Sequence, residues 1–235
     1  MKKQTILILS MAVLIFAACK NEAPDGAAAD STTLAEATPM PSGDLSLSTL
    51  GGTDQLSLSP KVETSVIEWV GSTPTGSQHS GTIKLTGGAF NVIRGNLKRG
   101  TFDIDMNSLA VTDLQGQDKA DLEGHLKNAD FFEVEKFPKG MFEITGVKLP
   151  EADQTDVTHI VTGSLTLKGV SKPITFPANI TVKGGLVNIT TPEFTINRTD
   201  WGIKYKSGLM GTVKDELIND DVKLKLKIEA PVTEG

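Results

Sequence analysis

Apolar and polar residues alternate one for one along most of the chain beyond residue 60, which is the period of a half-buried strand. In residues 221–230, Val222, Leu224, Leu226 and Ile228 share one face, and Lys223, Lys225, Lys227 and Glu229 the other. Phe102, Ile104 and Met106 alternate with Asp103 and Asp105, and Ile174, Phe176, Ala178, Ile180 and Val182 fall on one face of residues 173–183. Similar patterns predict strands over 61–70, 81–85, 89–93, 140–149, 159–168, 186–190 and 194–197. Turn chemistry separates them at Gly87-Gly88, Gly95-Asn96, Gly169, Gly184-Gly185 and Thr191-Pro192. The period changes once. Over residues 118–132 the apolar positions are Leu122, Leu126, Ala129 and the Phe131-Phe132 pair, which predicts one short α-helix near residues 118–130. Phe137-Pro138 then returns the chain to extended structure.

Many strands and one helix make this an all-β chain with a single antiparallel sheet, whose edges are removed if it closes into a barrel of about eight strands. Such a barrel is either filled by side chains or hollow enough for one small ligand. With nine Phe, two Trp and one Tyr, its inner faces are mostly aliphatic. A packed aliphatic core and an elongated apolar void both satisfy that composition.

The N-terminus follows a different pattern. Lys2 and Lys3, an apolar run over residues 6–16 and the small Ala17-Ala18 pair read as a signal peptide over residues 1–18. The sole cysteine, Cys19, falls at the expected cleavage point, in a context that resembles a lipobox, where the cysteine becomes the acylated first residue of the mature protein. Residues 19–60 lack aromatics and are rich in Ala, Ser, Thr, Gly, Asp and Pro, so they read as a flexible tether. Residues 61–235 are enough for one domain with a core of its own.

A net charge of -6 and a pI near 5.1 argue against a nucleic-acid partner, which calls for surplus Lys and Arg. His79, His125 and His159 are too widely spaced for a helical metal pair. His79 and Ser80 are adjacent, so in a strand they point to opposite faces and cannot act as base and nucleophile. No catalytic constellation emerges. Arg198 and Asp200 either pin a loop through an ion pair, or Arg198 or His79 meets a lipid's polar head while Trp201 closes over its apolar stem.

Several stretches carry a family resemblance: His79-Ser80-Gly81; residues 124–138, GHLKNADFFEVEKFP; residues 162–173, TGSLTLKGVSKP; residues 196–203, INRTDWGI; and the last strand from Asp221. In these the chain is similar to the YceI-like family of secreted bacterial polyisoprenoid-binding proteins. It departs in the Gly-, Ser- and Thr-rich stretch over 71–88 and in Trp201, where Phe is frequent. The resemblance implies an eight-stranded, lipocalin-like antiparallel barrel over residues 61–235, with an apolar tunnel for an isoprenoid quinone or polyprenyl lipid and no required cofactor. It implies binding, storage or transport without enzymatic chemistry, at the bacterial cell envelope, on the periplasmic side or the outer membrane surface, with Cys19 as membrane anchor. The ligand-lining residues it implies are His79, Phe90, Phe102, Leu122, Leu126, Phe131, Phe132, Phe142, Leu165, Phe176, Ile196, Arg198 and Trp201. Leu122, Leu126, Phe131 and Phe132 would form a lid or wall at one end, with Asp121, Lys127 and Asp130 in water. Two other readings follow from the same residues: a filled barrel acting through its outer face in stress or envelope assembly, and an enzyme acting on a head group, which requires Arg198, Asp200 and His79 to converge. An open seam or exposed edge would also allow a homodimer.

Overall fold

The computed structural model describes residues 55–94 and 96–232. Ten strands and one α-helix follow in order: β1 (Gln55–Leu58), β2 (Val66–Ser72), β3 (Gln78–Ile93), β4 (Asn96–Val111), α1 (Gly116–Lys127), β5 (Lys139–Lys148), β6 (His159–Leu167), β7 (Val170–Lys183), β8 (Leu186–Thr190), β9 (Phe194–Asn197) and β10 (Asp221–Pro231). All pairings are antiparallel, and the β3–β4 ladder closes the sheet on itself. β1 and β2 occupy successive parts of one position beside β3. β8 and β9 occupy successive parts of one position beside β10. The ring therefore has eight strand positions, as expected.

β1 lies within the stretch expected to be tether. Leu58 pairs with Phe90 and is 2% exposed, so the domain begins earlier than residue 61. Composition hid this strand because one buried leucine among polar neighbours suffices to seat a short segment against β3. Residues 1–54, with the expected signal peptide, Cys19 and most of the tether, lie outside the described residues.

Gly87-Gly88 does not turn the chain. β3 runs through it, and the register against β4 shifts between Leu85 and Gly87. This is a bulge made possible by Gly88, whose φ of 143° is open to glycine and whose β-carbon would overlap the Thr101 carbonyl. The bulge changes the parity of the inward face, from Ile83 and Leu85 before it to Phe90 and Val92 after it.

The helix also differs from expectation. It ends at Lys127, and Asn128 is extended, so Phe131 and Phe132 lie in the turns that follow. Those turns are hydrogen-bonded, with Phe132 N–H donating to Leu126 O at 3.1 Å and Val134 N–H to Lys127 O at 2.9 Å. α1 has no fully buried residue, and Leu122 and Leu126 are half-buried.

The antiparallel order sorts the connections between two ends. The β2–β3 hairpin, the α1 segment, the β6–β7 turn and the long β9–β10 connection gather at one end. The β3–β4, β5–β6 and β7–β8 connections gather at the other, together with residues 59–65. There, Lys61 N–H donates to Glu229 O at 2.6 Å and Glu229 N–H to the buried Ser65 hydroxyl at 3.2 Å, tying the 59–65 loop to β10.

One side of the ring has no continuous backbone ladder. β7 pairs with β8 only over Asn179–Lys183, whereas its earlier residues pair with β6 alone, and β9 pairs with β10 alone. Side chains close this seam. Phe176 stacks on Phe194 with centroids 4.6 Å apart, and the buried Trp201 donates from Nε1 to Leu165 O at 2.9 Å.

Candidate functional site: an apolar cavity open at one end

Inward residues of the barrel enclose a cavity of about 270 Å³. Its wall is built from alternate strand residues such as Phe102 and Ile104 on β4, Phe142 and Ile144 on β5, and Leu224 and Leu226 on β10. Ser72, Thr73, Ser77, Gln78 and His79 of the β2–β3 hairpin, with Asn219 of the β9–β10 connection, also line it. Polar groups are thus confined to the hairpin end, which forms the mouth. Towards the other end the lining stops at Phe176 on β7, and the next inward residues, Ala178 and Ile180, are buried in packed core.

Two glycines shape the wall. The Trp69 indole crosses Gly81 and the Phe142 ring crosses Gly163, where a β-carbon would overlap each ring. The rings therefore lie along the wall, which leaves the lumen open.

Of the thirteen ligand-lining residues expected from sequence, twelve line the cavity. Phe90 does not: beyond the bulge it is 1% exposed and packs against Phe102, with centroids 5.5 Å apart, in the filled part of the barrel. Leu122, Leu126, Phe131 and Phe132 all contribute to the wall, with Asp121 and Asp130 exposed and Lys127 half-buried. Ile203 and Ile218 also line the cavity, although they belong to an irregular connection where no period marks them.

Arg198 pins the mouth, with partners other than the neighbouring Asp200. It is 4% exposed, and its guanidinium donates to the carbonyls of Asn219 at 3.1 Å, Ile203 at 3.0 Å and Ile218 at 3.0 Å, and to Asp220 Oδ1 at 3.0 Å. Burial pulls its pKa below the usual value, and Asp220 opposes that shift. The Phe131 ring lies 6.0 Å from the guanidinium carbon. Asp200 is exposed. These bonds commit the guanidinium to its own loop, which makes Arg198 a structural support of the wall.

His79 is one of the polar residues that line the mouth. It is half-buried at the mouth, with Nδ1 2.9 Å from Asp113 Oδ2, while Asp113 Oδ1 accepts the Ser80 N–H at 3.0 Å. Partial desolvation opposes ionisation of Asp113, but the bonds from Ser80 and His79 outweigh it and hold the carboxyl below its usual pKa. An ionised carboxylate only accepts, so the shared proton sits on His79 Nδ1. His79, Arg198 and Asp200 do not form one hydrogen-bonded group among the described residues.

A profile of the YceI-like domain matches residues 59–230. The chain belongs to the YceI-like family. It is 30% identical over 153 residues to a UPF0312 protein of Pseudomonas putida, covering 62% of this chain and 74% of that one. It is 35% identical over 104 residues to protein YceI of Salmonella arizonae, covering 44% and 50%. Among solved structures, this YceI-like chain resembles Burkholderia cenocepacia BcnA, with a TM-score of 0.53 and 17% identity over 72% of this chain and 98% of that one. It also resembles a polyisoprenoid-binding domain from Saccharophagus degradans implicated in plant cell wall breakdown, with a TM-score of 0.53 and 15% identity over 76% and 99%. These two establish a common barrel fold.

Proposed function

We propose that this YceI-like barrel binds, stores or carries an isoprenoid lipid, a quinone or polyprenyl chain, without making or breaking a bond in it. The observation that carries the reading is the cavity itself: a wall of Leu, Ile, Val, Phe, Trp and Met side chains, open at one end, with its polar groups gathered at the rim. The polyisoprenoid-binding description of the Saccharophagus degradans domain, which shares the fold, supports the same reading.

A branched hydrocarbon gains about 25 cal/mol for each Å² of apolar surface it removes from water. Affinity therefore grows with chain length until the lumen is full. At about 270 Å³ the cavity lies near the lower end of small-molecule sites. It holds the distal part of a chain and leaves the remainder towards the mouth and seam. His79, oriented by Asp113, is positioned to fix the head group. The signal peptide, Cys19 anchor and tether complete the proposal, with the domain held by acyl chains at the bacterial envelope.

Purification from the native membrane followed by native mass spectrometry and organic extraction tests the reading. A stoichiometric apolar ligand is expected, and its loss in Leu224→Trp, with the fold retained, ties it to the lumen. Protein that is empty as purified and takes up no isoprenoid chain in detergent would sink the proposal.

A further inference from the structure

Exposed apolar side chains are distributed unevenly over the barrel. Six large hydrophobic residues are exposed among those described: Met141, Leu149, Val170, Leu209, Met210 and Val213. Leu149 follows β5 at the closed end. The other five lie at the mouth end: Met141 early in β5, Val170 at the start of β7, and three within the β9–β10 connection. Those three form a knuckle and are among the most exposed, at 70% for Leu209, 64% for Met210 and 65% for Val213.

The knuckle stands on a fixed base. Ser207 is fully buried; its hydroxyl donates to Asp220 Oδ2 at 2.8 Å and accepts the Leu209 N–H at 3.2 Å. Its carbonyl accepts the Met210 N–H at 3.0 Å and the Thr212 hydroxyl at 3.0 Å. Asp220 is also the partner of Arg198. Buried polar bonds thus fix the base of a loop whose three neighbouring apolar side chains stand in water, a grouping of the kind that marks an interaction surface.

Charge indicates the partner. Residues 203–216 carry Lys204, Lys206 and Lys214 against Asp215 and Glu216, a net charge of +1 in a chain whose net charge is -6. Lys206 reaches Glu216 at 3.8 Å, an exposed pair of small worth that yields to a competing phosphate. At the same end α1 carries Asp118, Asp121 and Glu123 against Lys119, which pairs with Glu123 at 3.6 Å, and Lys127, so the helix is slightly acidic where the knuckle is slightly basic. Ile203 and Ile218 flank the knuckle and line the cavity.

We propose that the knuckle over residues 209–213 is a lipid-docking site that seats the barrel mouth on an anionic bilayer, so that cargo passes between bilayer and lumen without crossing bulk water. The inference rests on the lipid reading above and adds the surface through which the lipid is exchanged. An apolar tip flanked by lysines gives weak, reversible, salt-sensitive insertion.

The test uses the full-length chain with Cys19→Ser, which removes its only cysteine, and an environment-sensitive fluorophore at Met210→Cys or Leu149→Cys. On vesicles of phosphatidylglycerol and phosphatidylethanolamine, the label at 210 should shift to the blue and be quenched by nitroxide lipids, with both effects reduced by salt. The label at 149 should not respond. Adding Leu209→Ser and Val213→Ser should abolish the response at 210 and leave uptake of a detergent-dispersed isoprenoid chain intact. No shift at 210, or equal shifts at 210 and 149, overturns the proposal, the first in favour of a protein partner. A shift at 210 in a chain that takes up no isoprenoid in detergent supports docking and overturns the cargo reading alone.

Discussion

The two halves of the barrel share strands and an alternating pattern, yet one is hollow and the other solid. On β10, Leu224 and Leu226 face the lumen and are only half-buried, whereas Ala230, farther along the same face, is fully buried. On β7, Ile174 is half-buried and Ala178 is at 0%. In the solid half small residues such as Ala178 and Ala230 let the walls approach, and Leu58, Phe90 and Val92 fill what remains. In the hollow half rings lie flat over glycines and one ladder is missing. Alternation therefore fixes which way a side chain points, while the sizes of residues on distant strands decide whether opposite walls meet.

The largest expected contrast lies in truncation. Phe90→Ala in the solid half should cost about 3–5 kcal/mol in urea unfolding. Leu224→Ala should cost about 1 kcal/mol, because much of that side chain already faces the void. Equal losses would erase the distinction between the halves. Arg198→Met should cost about 3 kcal/mol, since it strands Asp220 and three loop carbonyls at the mouth. If stability is unchanged, Arg198 is free for ligand contact after all.

Filling reverses the contrast. Ala178→Leu should overpack the solid half and cost about 1–3 kcal/mol. Leu224→Trp should leave the melting temperature near the parent value and abolish isoprenoid uptake, measured by extraction. A Trp at 224 that unfolds the domain would mean that the lumen has no spare room.

The smallest effect concerns pH. His159 opens β6 at the closed end and is 7% exposed; burial foremost, and Lys98, lower its pKa from the ordinary 6.5. The unfolded chain takes up a proton near 6.5 and the folded one only at lower pH. This contribution to stability is complete above that value and declines as pH falls through the window down to the lowered pKa. Thermal melts of His159→Gln should show a flatter dependence over the same range, and an unaltered slope would assign it to other groups.

The sequence was most readable where one period ran uninterrupted. β10 matched expectation to within a residue, and the order of strands around the single helix was recovered. Interruptions were harder to read. Gly87-Gly88 has the composition of a turn, but as a bulge it carries β3 onward, so Phe90, although it points inward, lies beyond the lumen in the filled half of the barrel. Leu122 and Leu126 marked the helix, but the Phe131-Phe132 pair that extended the period belongs to turns beyond it. Polar partners were hidden by distance along the chain: Arg198 bonds Asp220 and not Asp200, and His79 meets Asp113. No local pattern announces a contact that only closure of the sheet creates.

The seam between β7 and β9 sets this lumen apart from a tube closed by backbone. A tube closed by backbone on every side must be threaded end-on by a long polymer. The wall is joined there by the Phe176–Phe194 stack and the Trp201 hydrogen bond, with no backbone ladder between β7 and β9. For the isoprenoid chain proposed above, a side of the lumen closed only by side chains would let a chain longer than the cavity be laid in sideways, so that its length would set no limit on loading.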